Sequence, residues 1–261
     1  DRNMDDFKRV KKTLNISLIL TGVSGVSALI SAFILEILSE ANEYLGVILF
    51  LVMFIIFAVS LGFVIIFYRL NQKTTKKILN LISQEVKVPL KISSGGPCLD
   101  LLKDSYFPFD TKEQATSKEV LEGNIDIVPF EYHLLEIYKD GILIDKKAKY
   151  ELYIFKDVSI FQEEFIATTK ELSEIPAGFT SMQRDSFMVF AKDPNSFTEL
   201  TLPEGICFIS FMNRTLYVYK CTELKQPSYM RAKSAEECKK IFEDIINDIE
   251  KTFCDVKEWI K

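Results

Sequence analysis

His133 is the single histidine of the chain, and its five cysteines are Cys98, Cys207, Cys221, Cys238 and Cys254. Imidazoles and thiolates bind zinc and act as bases or nucleophiles, so their spacing decides whether either chemistry is available. No two cysteines form a Cys-x-x-Cys pair, and with one histidine a zinc site would have to collect scattered ligands. The expected state is five reduced thiols in a cytoplasmic domain. His133 has no patterned nucleophile beside it; in a strand it shares a face with Glu131, Leu135 and Ile137. Carboxylates recur near strand ends at Glu163, Glu164 and Asp185, a placement also common on solvated turns. General acid–base work requires a perturbed carboxyl, which the spacing does not supply. The pair Gly95-Gly96 lacks the Lys-Ser/Thr and the preceding strand of a phosphate loop. Nucleophile-elbow, zinc-protease and dinucleotide fingerprints are also missing. The reading is a non-enzymatic protein with no cofactor and no metal site.

The elements that would position any site begin with a membrane anchor. Two runs carry no charged residue, Thr13 to Leu35 and Tyr44 to Tyr68. Each reaches the roughly 20 apolar residues that a helix needs to cross a bilayer. The charged stretch before Thr13, ahead of a span longer than a signal-peptide core, predicts an uncleaved anchor. Basic residues flank the pair of spans: Lys8, Arg9, Lys11 and Lys12 before it, Arg69, Lys73, Lys76 and Lys77 after it. The connection holds Glu36, Glu40 and Glu43. This bias predicts an inner-membrane hairpin with both termini in the cytoplasm. The basic flanks set topology and could also attract anionic lipid. Thr21, Gly25, Ala28 and Ala32 share one face of the first span, and Ala58 and Gly62 lie four apart in the second. Small residues of this kind let membrane helices approach closely, within the hairpin or between copies. Neither run contains an ionisable residue, which argues against a transporter.

Helical periodicity continues through Leu70, Thr74, Ile78, Leu81, Ile82 and Val86, predicting a cytoplasmic stalk to about Glu85. Pro89 ends it, and Ser93 to Pro97 reads as a linker or sharp loop. A short helix is expected at 98–104 and irregular chain at 106–110. Strands are expected from Asn124 onward: one opened by Ile125, Ile127 and Val128, then Phe130 to Tyr138, with Asp140-Gly141 as a hairpin turn. Further strands follow at Tyr150–Phe155, Glu164–Thr169, Phe187–Ala191, Ile206–Met212 and Thr215–Cys221, with a turn near Asn213-Arg214. Ser234 and Glu237 form a capping-box pattern before an amphipathic helix. Its apolar face includes Cys238, Ile241, Phe242, Ile245, Ile249, Phe253, Val256 and Trp259. Cys254 falls on the opposite, charged face.

The fold class is therefore a membrane-anchored α+β protein. Its parts are a basic cytoplasmic segment (1–12), a transmembrane hairpin (13–68), a helical stalk and linker (69–97) and a cytoplasmic domain (98–261). That domain is a mostly antiparallel sheet with an amphipathic C-terminal helix. The formal net charge is −5. Residues 1–69 hold six basic and six acidic side chains, so the excess lies in the cytoplasmic domain. An acidic domain without a basic stripe argues against nucleic acid.

The segment order resembles a bacterial family of unknown function that has an N-terminal two-span hairpin and a cytoplasmic α+β domain. The resemblance rests on Tyr106-Phe107-Pro108-Phe109-Asp110, on Leu121 to Ile127 running into Phe130-Glu131-Tyr132-His133, and on Tyr153-Ile154-Phe155-Lys156 before Phe161. Phe187 to Pro194 and the strand pair Phe208 to Tyr219 complete it. It implies the same topology and no activity. The expected partners are membrane lipid and a protein, either another copy or a different chain. Two rivals are an oligomerising two-span effector that perturbs the bilayer on a signal, and an enzyme whose site matches no motif.

Overall fold

The computed structural model describes residues 43–109, 113–139, 148–172, 174–184, 186–197, 202–221, 229, 232 and 234–259, with nine scattered residues between 9 and 25. The chain divides into two compact units, Asp1–Ile82 with Lys233–Glu236, and Ser83–Ala232 with Glu237–Lys261.

Helix α1 (Glu43–Gln84), all but its last two residues in the first unit, forms one continuous element through the uncharged run and the stalk. It ends where the periodicity places the stalk end. The described residues between 9 and 25 are helical as well. Arg69, Lys73, Lys76 and Lys77 are exposed, and Ile78, Leu79 and Ile82 are buried. Among the described residues, no helix is long and apolar enough to cross a membrane. The expected two-span hairpin is thus not a feature of the described structure. Its first run lies mostly outside the described residues, and its second falls within α1.

The second unit is α+β. Among the described residues nine strands form one antiparallel sheet in the order β1-β2-β3-β4-β9-β8-β5-β7-β6. They are β1 (Lys91–Ser94), β2 (Glu113–Ile125), β3 (Val128–Lys139), β4 (Ala148–Phe155), β5 (Phe165–Thr168), β6 (Thr180–Gln183), β7 (Met188–Ala191), β8 (Ile206–Met212) and β9 (Thr215–Cys221). The strands from β3 onward are, β6 aside, rich in the branched and aromatic residues that suit a pleated, buried surface. At the β8–β9 hairpin Asn213 (φ 49°) and Arg214 (φ 63°) both take the left-handed conformation. A two-residue turn with that conformation matches the strand twist.

Three expectations need correction. The residues read as linker carry β1, and Gly96 and Cys98 are tied to the sheet through Ser117 N–H to Gly96 O (2.9 Å) and Cys98 N–H to Ala115 O (2.9 Å). Ile125 ends β2 and Val128 begins β3, so Ile127 is not in a strand. It sits on the turn beside Asp126 (φ 53°) and is 92% exposed. Most of β2, and all of β6, lie in polar sequence without strand periodicity. Pairing along the long β3 supplies the ladder that β2's own side chains do not demand. The Asp140-Gly141 turn lies outside the described residues.

Alternation along the strands divides the core between the two faces. On one face Leu135, Leu152, Ile154, Phe208, Tyr217 and Tyr219 pack with helix α2 (Leu99–Asp104) and Phe107. The other face is covered by helix α3 (Ala235–Trp259). Phe155 meets Phe253 at 4.7 Å, and Phe165 meets Trp259 at 6.0 Å. Polar ties fix the same face: Tyr132 donates to Glu151 Oε1 (2.9 Å), Tyr153 bonds to Asp248, and Lys220 Nζ lies 3.0 Å from Asp248 Oδ1. Burial, with the Asp248 charge adding, holds the Glu151 carboxyl above its usual range. Cys238 is buried and Cys254 exposed, as the helical pattern requires. The buried stripe also takes in Ile246 and Thr252, one position round from the expected Ile245 and Phe253.

Candidate functional site

The first strands of the sheet build a line of charge. Register places Lys91, Glu122 and Glu131 directly opposite one another on β1, β2 and β3. Lys156, just past β4, is set by its N–H bonding to Pro129 O at 2.9 Å. The result is a Lys–Glu–Glu–Lys ladder. Lys91 Nζ lies 2.8 Å from Glu122 Oε2, and Lys156 pairs with Glu131 Oε1. Ser93 also donates to Glu122. The ladder lines a groove of about 550 Å³ to which Gln84, Asn124 and Pro129 contribute.

His133 lies beneath it. Its Nε2 faces Glu131 Oε2 at 3.4 Å, its side chain is 5% exposed, and Nδ1 has no partner. With the proton on Nε2 the ring donates to Glu131 and leaves Nδ1 a lone buried acceptor. The bond from His133, then that from Lys156, outweighs burial and lowers the Glu131 carboxyl to about 2. Lys91 first, then Ser93, lowers Glu122. Both carboxylates are therefore held ionised, each matched by a cation.

No protein family, curated protein or solved structure matches the chain. The reading of the groove rests on its own chemistry. Among the described residues no three His, Cys, Asp or Glu side chains are grouped to hold a metal ion. A charge-balanced ladder presents hydrogen-bonding groups of both signs along one groove.

The residues singled out from sequence fall elsewhere. Thr21, Ala28, Ala32, Lys8 and Lys11 lie outside the described residues, while Arg9, Lys12 and Ala58 are exposed. A Cβ placed on Gly25 or Gly62 would meet nothing within 4 Å, so neither glycine marks a close approach in the described structure. Glu164 caps the β8–β9 turn by accepting from Asn213 N–H at 3.0 Å, and Asp185 lies outside the described residues. The ladder was invisible in sequence because its four members come together only through register. The one available signal was Glu131 two residues from His133.

The ladder makes stability depend on pH. Glu131 is ordinarily half-protonated near 4.5 and is lowered to about 2. A carboxylate lowered on folding contributes stability above its unfolded value and loses it as pH falls through its folded value. Glu131→Gln is expected to cost about 2 kcal/mol at pH 7 and almost nothing at pH 2. Urea titrations at both pH values check this; an equal difference at the two would remove the ion pair as the cause.

Proposed function

We propose that this chain is a non-enzymatic inner-membrane protein, anchored through α1, whose α+β domain engages protein partners or other copies. The observation that carries the reading is the surface of α1. Ile48, Leu51, Val52, Ile55, Val59, Ile65 and Ile66 are all exposed large apolar side chains. They lie within Tyr44–Tyr68, which carries no charged residue. Apolar surface of this extent is stable against hydrocarbon and costly in water. The open space beside Gly25 and Gly62 favours their use between copies. The cytoplasmic placement of the domain follows from the basic residues at 69–77 and before residue 13. The ladder groove gives the domain a polar face suited to a chain segment.

Reporter fusions at Asn42 and Lys261 test the reading, with carbonate extraction of the membranes. Expected are resistance to extraction, an active periplasmic phosphatase at Asn42 and an inactive one at Lys261. Phosphatase activity at Lys261, or release by carbonate, would end it.

A further inference from the structure

A second cluster of reactive side chains lies on the α2 face of the sheet, away from the ladder. Cys207 occupies the irregularity between Ile206 and Phe208 where β8 slips against β9. Its Sγ lies 3.4 Å from Tyr219 O. Cys221, the last residue of β9, is opposite Tyr150 and therefore on the face that carries Tyr219. The bulge thus brings Cys207 beside the Cys221 end of β9, where the Cys221 side chain adds to burial in raising the Cys207 thiol. Cys207 is buried and Cys221 exposed.

Lys170 is brought to the same spot. Thr169 N–H donates to Cys207 O at 3.2 Å, and Lys170 Nζ lies 2.6 Å from Tyr150 Oη and 4.8 Å from the Tyr150 ring centroid. Tyr150 first, then the nearby Cys207 and Cys221, holds its ammonium charged against burial. A fixed cation beside a thiol favours the thiolate, the form that attacks disulfides.

We propose that Cys207 and Cys221 form a thiol–disulfide exchange site, in which exposed Cys221 captures a low-molecular-weight disulfide and Cys207 resolves it into a cross-strand disulfide beside Lys170. In the first step Cys221 gives up its proton and its sulfur attacks one sulfur of R–S–S–R. The S–S bond breaks, and RS⁻ leaves and takes up a proton. In the second step Cys207 loses its proton and attacks the Cys221 sulfur, expelling the second RS⁻, which is protonated in turn. Two protein thiols are oxidised by two electrons and one disulfide is reduced to two thiols. Burial pushes the Cys207 thiol up to about 12, so it waits for Cys221 rather than reacting first. Cys254 is exposed on α3, about 16 residues and nearly half a turn round from Cys238. It serves as an internal comparison with no thiol to resolve it.

The test treats the full chain in mild detergent with oxidised glutathione, then quenches, digests and maps it by mass spectrometry. Expected is a Cys207–Cys221 cross-linked peptide with no glutathione kept on Cys221, while Cys254 keeps its adduct. Cys207→Ser should retain one glutathione on Cys221, and Lys170→Met should slow closure several-fold. The wild-type map needs no variant to fold. Glutathione kept on Cys221 with Cys207 intact, a disulfide to another cysteine, or no reaction at Cys221 while Cys254 reacts would each overturn the proposal.

Discussion

Phe107→Ala is expected to cost the sheet domain about 3 to 5 kcal/mol, among the largest losses a single truncation can give. Phe107 is 2% exposed and follows α2, where its N–H bonds to Leu102 O at 3.0 Å. Its ring stacks on Tyr219 at 4.2 Å and meets Tyr150 at 5.1 Å and Phe208 at 5.3 Å edge-on. Those partners come from β9, β4 and β8, so one ring joins three adjacent strands. Removing it leaves a cavity between aromatic walls that the paired strands hold apart. The transfer loss and the cavity term then add. Urea denaturation followed by far-UV circular dichroism gives the value. A loss under about 1 kcal/mol would mean that the strands close over the gap and that Phe107 is no keystone.

Gly123→Val is expected to cost about 3 kcal/mol through crowding rather than loss of contact. Gly123 faces Phe130 across the β2–β3 pair. A Cβ there would sit 2.8 Å from Phe130 Cζ, 2.9 Å from Cε1 and 3.2 Å from Leu90 Cδ2. Phe130 is 2% exposed and Leu90 fully buried, so neither can retreat into solvent. Shrinking the obstructing ring should relieve the strain. Gly123→Val combined with Phe130→Leu should therefore be more stable than the sum of the two single losses by about 1 kcal/mol or more. Simple additivity would show that the ring is not what the valine strikes.

The strands from β3 to β9 were legible, β6 apart, because each carries a run of Phe, Tyr, Ile or Val bounded by turn residues. Asn213-Arg214 fixed one hairpin from two residues. β1 and most of β2 were not legible. Lys91–Ser94 and Glu113–Gly123 contain few side chains that demand a sheet, and their pairing is imposed by β3. The wrong assignment of Ile127 has the same origin. An apolar residue between two strands reads as strand until the turn at Asp126 places it in solvent. Both candidate sites depend on neighbours across strands. Lys91, Glu122, Glu131 and Lys156 span 65 positions, and Cys207 and Cys221 meet because of one irregular step in β8. Neither register nor a bulge can be read from spacing alone. The burial of His133 was open for a related reason: its strand face was known, but not that the face lies against a covered core.

The strand order also sets a timetable for synthesis. β1 to β4 pair in sequence, so this part can assemble by local hairpin closure as it leaves the ribosome. The next partner of β4 is β9, which is not translated until Cys221. For roughly sixty residues, or about 3 to 12 seconds at ordinary elongation rates, the β4 edge stands unpaired. That edge carries Tyr150, Leu152 and Ile154, an apolar template open to any neighbouring nascent chain. Because α1 is made first, a bilayer-held α1 would keep such half-built sheets spaced along a surface rather than loose in solution. An anchor at the N-terminal end would then separate nascent copies as well as retain finished ones.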